Sequence, residues 1–426
     1  MILRVNPSTL AGTSVWAPPS KSIMQRVVAL ATLADGTTMI RRPSESDDCT
    51  QALMMAAQLG ADIELGSDAI AIHGRYPLKP RTQALTPGES GLGMRMFANL
   101  AALHDSPLSF QREGTLQSRS MASLQEAIEA FGGHVNVESD VEVHGPIRGQ
   151  TVTLDASSTS QCLSGLLIAL AHAEGDSHLS INRVVSRPYI DMTLEIAEDM
   201  GLRHRVEEQE DGGLGIVIPG GQRAAAIDTT IDGDWSGSAF LLALGALCAP
   251  HHLDVEGLHS TYTQADEAIK GALLFAGCKL AGTDEGVRIS KGRPKQFNMD
   301  LTDCPDLFPP LAALSAFGQA ASTLKGIHRL TDKESNRAET IQSEWGQVGV
   351  RVELKPEEDV MVVHPGPIHA GRINSHGDHR LAMAGALFGA AGAPVEIVGA
   401  ECVAKSYPAF FDDLEALGVS IHTVVT

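Results

Sequence analysis

One phrase recurs six times along this 426-residue chain, and any fold proposed for the sequence has to account for it. A helix-like run ends, a glycine follows, and a short alternating stretch comes next. The copies are AQLGADIEL around Gly60, EAFGGHVNV around Gly132, EDMGLRHRV at Gly201, LLFAGCKL at Gly277, GQVGVRVEL at Gly349 and EALGVSIHT at Gly418. They stand about 70 residues apart, so the chain reads as six diverged copies of one unit. Each glycine fits the end of a helix, where a positive φ is cheap only for glycine. The alternation after it fits a strand with one buried face.

Within each copy two helical segments open on polar or glycine-bearing phrases and then turn apolar and alanine-rich. The first openings are Pro19-Ser20-Lys21-Ser22, Gly88-Glu89-Ser90-Gly91, Ser158-Thr159-Ser160-Gln161, Asp232-Gly233-Asp234, Pro305-Asp306 and His376-Gly377-Asp378-His379-Arg380. The second include Glu45 to Asp48, Ser118-Arg119-Ser120, Ser186 to Tyr189, Gln264 to Asp266, Lys333 to Arg337 and Ala404-Lys405-Ser406. Nearly all the uncommon chemistry therefore stands at helix starts, where backbone N–H groups favour anions. In Lys333-Glu334-Ser335-Asn336-Arg337, Thr331 precedes Glu334 by three residues, the spacing of a capping box. That spacing predicts a helix with Lys333 and Arg337 on one face, beside its positive end, an arrangement an anionic ligand relieves. Taken alone, the same segment also fits a solvated helix start with a Glu334–Arg337 ion pair.

Length and a composition of 43% hydrophobic and 20% charged residues fit a globular protein of two or three domains. The net charge of −20 argues against nucleic acid or an anionic membrane surface as partner, so an anionic substrate needs a locally positive cleft. Six scattered cysteines form no metal-binding or disulfide pattern, and no metal is expected. Met1 to Pro19 has no signal-peptide pattern and no apolar run reaches 18 residues, so the expected location is cytoplasmic. Linkers are short. The six copies divide as three and three, with breaks near Pro18 to Ser20 and near Ile231, and the strand-like Ile2 to Val5 joins the later domain.

The phrases PPSKSIMQR, SDDCTQAL, GESGLGMR, SSTSQCLSGLL, SRPYIDMTL, DGDWSGSAF, CPDLFPPLAAL, DKESNR, GDHRLAMA and AKSYPAFF occur in this order. Together they resemble the enolpyruvyl transferases, in the branch that acts on shikimate 3-phosphate, and the resemblance runs through all six copies. It implies an α/β (α+β) fold of two domains, each of three βαβαββ units. Residues 1–19 with 232–426 would form one domain and 20–231 the other, with the active site in the cleft between them. The implied reaction transfers the carboxyvinyl group of phosphoenolpyruvate to the 5-hydroxyl of shikimate 3-phosphate and releases phosphate through a tetrahedral intermediate. It belongs to the shikimate pathway and uses no cofactor. A monomer is expected, with these two small molecules as its partners.

By the same resemblance, Lys21, Gly91, Arg119, Gln161, Arg337, His379, Arg380 and Lys405 surround phosphoenolpyruvate. Guanidinium groups suit its carboxylate and lysines its phosphate. Shikimate 3-phosphate falls to Lys21, Ser22, Arg26, Thr159, Ser160, Gln161, Ser186, Tyr189, Asp306 and Lys333. Singly, each cation reads as surface charge, each hydroxyl as a helix cap and Tyr189 as core. The joint pattern carries the assignment. The chemistry needs one acid–base group at C3 and one at the 5-hydroxyl. Glu334 is assigned to C3 and Asp306 to the hydroxyl, with Lys333 and Lys21 sharing proton transfer and charge stabilisation.

Several positions depart from the family pattern: Glu89 where Asn is more frequent, Thr159 for Ser, Arg329 for Asn and Asn336 for Asp. Glu89 either pairs with Arg119 or Lys21, or caps its own helix. The related branch acting on UDP-N-acetylglucosamine usually carries a reactive Cys before the arginine matched by Arg119, and Lys-Asn where this chain has Lys21-Ser22. Gln111 to Ser118 contains no Cys. A non-catalytic anion-binding protein of the same fold is the alternative of another class. Such a protein has no need of Lys21, Arg119, Asp306, Glu334, Arg337, Arg380 and Lys405 together.

Overall fold

Each copy of the repeat becomes one four-stranded sheet with two helices. The computed structural model describes residues 1–424 except 139, 158, 159, 210, 211 and 332. The helices, in chain order, are α1 (Lys21–Leu33), α2 (Asp47–Leu59), α3 (Gly91–Ala101), α4 (Ala122–Glu129), α5 (Gln161–His172) and α6 (Arg187–Asp199). There follow α7 (Trp235–Cys248), α8 (Ile269–Phe275), α9 (Phe308–Ala316), α10 (Arg337–Gly346), α11 (His379–Ala391) and α12 (Phe410–Ala416). The repeat glycines Gly60, Gly132, Gly201, Gly277, Gly349 and Gly418 follow the even-numbered helices, all at positive φ between 74° and 117°.

Two strands of every sheet pair in parallel and the other pairings are antiparallel, as βαβαββ connectivity requires. The second copy shows the pattern within its own sequence. Ala84–Gly88 lies parallel to Leu108–Arg112, which pairs antiparallel with Val141–His144, and that strand with His134–Asn136. In three sheets one strand comes from elsewhere in the chain. The first copy pairs Thr37–Arg41 with Asp228–Thr230, from the end of the third. The fourth pairs His252–Glu256 with Ser14–Trp16. In the sixth, Ile2–Asn6 lies between Val395–Val398 and Ser420–Thr423.

The chain divides into two compact units. One comprises Met1–Pro18, Asp232–Ser260 and Ala265–Thr426, the other Pro19–Ile231 and Thr261–Gln264. The short segment is fastened to α6: Tyr262 donates to Asp199 at 2.8 Å, and the Thr263 amide and hydroxyl donate to Glu195 at 2.7 and 2.6 Å.

In the Pro19–Ile231 unit, α3 packs against α1 and α5. In the other, α7, α9 and α11 pack on one another. These helices are buried nearly all round, which explains their lack of a polar face. Small residues let them approach: a Cβ at Gly165 of α5 would stand 2.7 Å from the Met96 Cα of α3. Each fully buried Leu or Phe in such a core contributes roughly 1.5–3 kcal/mol. Among the described residues no helix is long and apolar enough to cross a membrane.

Candidate active site

In the unit that holds the C-terminal repeats, the site is organised by Arg337, the first residue of α10, whose side chain is fully buried. A guanidinium offers five N–H donors in one plane, and here they serve three carboxylates. Nε donates to Asp378 Oδ2 at 2.8 Å, Nη1 to Asp306 Oδ1 at 2.9 Å and Nη2 to Glu334 Oε2 at 2.8 Å. Asp378 is itself the cap of α11, accepting from the Arg380 amide at 3.0 Å. Arg380 reaches the other oxygen of Asp306 at 2.9 Å, the Ser236 hydroxyl at 2.7 Å and His379 Nε2 at 2.7 Å. Lys333 completes the group, 3.5 Å from Asp306.

Burial alone pushes the Asp306 carboxyl up, but the charges of Arg380, Lys333 and Arg337 outweigh it and hold the group well below the usual carboxylate range. Burial lowers the Lys333 ammonium, which Asp306 offsets in part. Asp266, also buried, goes the other way. Burial and then the negative charge of Asp306 push its carboxyl up to about 7. Lys405, the last residue of the turn Ala400–Lys405, is buried, and that turn packs against α11.

The helix expected to open at the capping box starts later. α10 begins at Arg337 and its cap, Asn336, makes no side-chain capping bond. Glu334 pairs with Arg337, and Lys333 with Asp306. Lys333 and Arg337 therefore meet through a shared carboxylate, not as neighbours on a helix face. Three-dimensional ion pairing has overridden the local capping preference.

The Pro19–Ile231 unit brings together a second group. Lys21, first residue of α1, donates to Asp48 Oδ2 at 2.8 Å. Gln25, one turn on, donates to the Asp48 carbonyl at 2.9 Å and to the Ser90 hydroxyl at 2.8 Å, tying α1 to the starts of α2 and α3. Arg119 lies against Gly91: a Cβ there would be 2.4 Å from Arg119 Nη1. Arg95, fully buried, donates to the Gly91 carbonyl at 3.2 Å, Gln161 Oε1 at 3.0 Å and the Ser120 carbonyl at 2.9 Å. Lys21, Gly91, Arg119 and Gln161 are thus connected through Asp48, Gln25, Ser90 and Arg95.

Arg26 is buried, and burial lowers its guanidinium to about 10. Its donors go to Thr193 Oγ1 at 2.8 Å, the Ser22 carbonyl at 2.9 Å, Ser164 Oγ at 3.1 Å and the Tyr189 carbonyl at 3.2 Å. The Tyr189 ring lies 5.8 Å from the guanidinium carbon. Ser186 caps α6 at φ 54°, and Ser160 precedes α5 without a side-chain capping bond. Thr159 lies outside the described residues.

Glu89 is not the cap of its helix. Ser90 takes the capping bond, from the Gly93 amide at 3.2 Å, and Lys21 is paired with Asp48. Burial raises every cysteine thiol, Cys49 and Cys248 to about 12, which makes all six poor nucleophiles. Among the described residues no group of three or more His, Cys, Asp or Glu could hold a metal ion.

Sequence reasoning missed Asp48, Asp378, Arg95 and Asp266. Arg95 was within reach, because it stands one helical turn after Gly91 in the phrase GESGLGMR. The acids have no local signal of their role, since each acts on a group from another element.

Two solved structures of EPSP synthase from Acinetobacter baumannii superpose with TM-scores of 0.80 and 0.81 at 23% identity, covering 99–100% of both chains. The class is therefore the two-domain fold of six βαβαββ units. The family profile for EPSP synthase (3-phosphoshikimate 1-carboxyvinyltransferase) matches residues 5–414. Relatives bearing the name 3-phosphoshikimate 1-carboxyvinyltransferase include those of Methanospirillum hungatei and Aeropyrum pernix. The first is 31% identical over 94% of this chain and 95% of its own length, the second 33% over 99% and 96%. The chain belongs to the EPSP synthase family.

Proposed function

We infer that this chain transfers the carboxyvinyl group of phosphoenolpyruvate to the 5-hydroxyl of shikimate 3-phosphate, and we propose the following division of labour. The 5-hydroxyl oxygen attacks C2 while C3 takes a proton. In the resulting tetrahedral adduct the C2–O bond to phosphate breaks as C3 gives a proton back. Glu334 serves C3 and Asp306 the hydroxyl proton, with Lys333 and Lys21 assisting. The observation that carries this is that the buried Arg337 holds both Asp306 and Glu334, while Lys333 stands against the same Asp306.

Asp306 is held by three cations, which makes it a weak base. Phosphoenolpyruvate changes that. Its carboxylate competes for the guanidinium groups of Arg337 and Arg380, and as they are drawn off, Asp306 regains basicity when the hydroxyl is in place. Lys21, Gly91, Arg119, Gln161, His379 and Lys405 complete the phosphoenolpyruvate contacts. Ser22, Arg26, Thr159, Ser160, Ser186 and Tyr189 hold shikimate 3-phosphate. Arg26 supports that role, because a buried guanidinium surrounded by hydroxyls and carbonyls keeps its charge available to a phosphate. The residues assigned to phosphoenolpyruvate come from both units, so neither carries the full set.

The enzyme works as a cytoplasmic monomer, a reading supported by its six free thiols and its net charge. Sedimentation at working concentration checks the monomer. Phosphate release from phosphoenolpyruvate with shikimate 3-phosphate, against UDP-N-acetylglucosamine as control, tests the reaction. For Glu334→Gln we expect turnover to fall by about 10²- to 10⁴-fold with substrate binding largely kept, the range for loss of one acid–base group. Near-normal turnover would move the C3 role to a lysine.

A further inference from the structure

Glu89 carries a negative charge next to residues assigned to an anionic substrate, and its side chain does not take the helix cap beside it. Its carboxylate leaves α3 and reaches the single-turn 3₁₀ segment Gly114–Ser118. There Oε2 accepts from the Thr115 hydroxyl at 2.8 Å and from the Thr115 amide at 3.3 Å. Gly114, at φ 47°, makes the approach possible. A Cβ at that position would lie 2.2 Å from Glu89 Oε1, so the carboxylate occupies the space a side chain would need.

The 3₁₀ segment ends on Arg119, whose amide donates to the Leu116 carbonyl at 3.2 Å. From there the chain is pinned on its far side. Arg112 donates to the Arg119 carbonyl at 3.4 Å, and Arg95 to the Ser120 carbonyl at 2.9 Å. Glu89 holds the near side, in the middle of the turn. The guanidinium of Arg119 then lies against Gly91, two residues beyond Glu89 in the same phrase. Helix start, turn and arginine thus form one closed loop of contacts, in which the Glu89–Thr115 link joins the start of α3 to the turn before Arg119.

We propose that Glu89 is a positioning residue: by binding Thr115 it fixes the turn Gly114–Ser118 and, through that turn, the place of Arg119, without touching substrate itself. The proposal rests on the assignment of Arg119 to phosphoenolpyruvate. It also explains how an acid is tolerated so near an anion site, since its charge is directed at the amide and hydroxyl of Thr115.

The test compares Glu89→Ala, Glu89→Gln, Thr115→Val and the Glu89→Ala/Thr115→Val pair, with Arg119→Ala measured alongside. KM for each substrate, kcat and thermal unfolding are recorded for all. Glu89→Ala and Thr115→Val should each raise KM for phosphoenolpyruvate about tenfold, the scale of one charge-assisted hydrogen bond. KM for shikimate 3-phosphate should stay unchanged. Because both singles cut the same link, the pair should be no worse than the worse single. Glu89→Gln keeps an oxygen for Thr115 and should recover most of the loss. A Glu89→Ala enzyme with normal phosphoenolpyruvate KM, multiplying effects in the pair, or a Glu89→Gln as impaired as Glu89→Ala would each overturn the proposal. If Glu89→Ala does not fold, Thr115→Val and Glu89→Gln still decide. A neutral Arg119→Ala would instead refute the assignment of Arg119. An impaired Arg119→Ala beside neutral Glu89 variants would refute the positioning role alone.

Discussion

A buried arginine that serves three acids makes each of them costly to remove. Breaking one pair of a buried ion cluster typically costs about 3–5 kcal/mol, because the remaining charge stays buried without its partner. Asp378, which holds Arg337 by two hydrogen bonds at 2.8 and 3.3 Å, is the least exposed of the three. Asp378→Ala should therefore lower stability by about 3 kcal/mol or more in denaturant unfolding. Asp266 gives a pH signature. Its carboxyl is raised to about 7, so the folded chain keeps a proton that the unfolded chain loses near pH 4. Its stabilising contribution is complete below about pH 4, declines as pH rises toward 7 and is gone above it. Asp266→Asn mimics the protonated side chain. Urea midpoints of the variant should gain on those of the natural protein across that window, and parallel curves would contradict the assignment. At this scale the sequence exposed the cations, because they stand in recognisable phrases at helix starts. It hid Asp48, Asp378 and Asp266, whose roles arise only when separate elements bring them to a cation or to another acid.

Among elements, the repeat was the most legible feature, because its glycines mark helix ends by a backbone requirement that no other residue meets cheaply. The start of α10 was misread for the opposite reason. A capping box is a local preference of about 0.5–2 kcal/mol, and the ion pairs of Glu334 and Lys333 outweigh it. The exchanged strands were partly visible: Ile2 to Val5 was expected in the later domain, whereas nothing in Asp228–Thr230 marked it as a partner of Thr37–Arg41. Ile2–Asn6 is an interior strand of its sheet, and Val5 is fully buried against α11. At Gly389 of α11 an added Cβ would stand 2.5 Å from Val5 Cβ and 2.9 Å from the Val5 carbonyl oxygen. Gly389→Ala should thus push strand and helix apart and lower stability by about 1–3 kcal/mol, the usual cost of overpacking. An unchanged thermal midpoint would mean that the strand yields freely.

At the scale of the whole molecule, a chain with a net charge of −20 buries Arg337 and Arg380 at the starts of α10 and α11, where carboxylates from other segments meet them. The strand exchanges have a further effect, on the order in which the protein is made. Three sheets of the unit Pro19–Ile231 are complete once Asp228–Thr230 has left the ribosome. Ile2–Asn6 is translated before that unit, yet its partners Val395–Val398 and Ser420–Thr423 come well after it. This strand must wait through the synthesis of everything between, with two sides unpaired. Ribosome-bound chains stalled with about 300 residues emerged should protect the Pro19–Ile231 segment from protease and leave Ile2–Asn6 open to cleavage, since domains fold in the order they appear. Emergence of Ser420–Thr423 should close that window, and the interval before it is when Ile2–Asn6 is most exposed to mispairing and most in need of a chaperone.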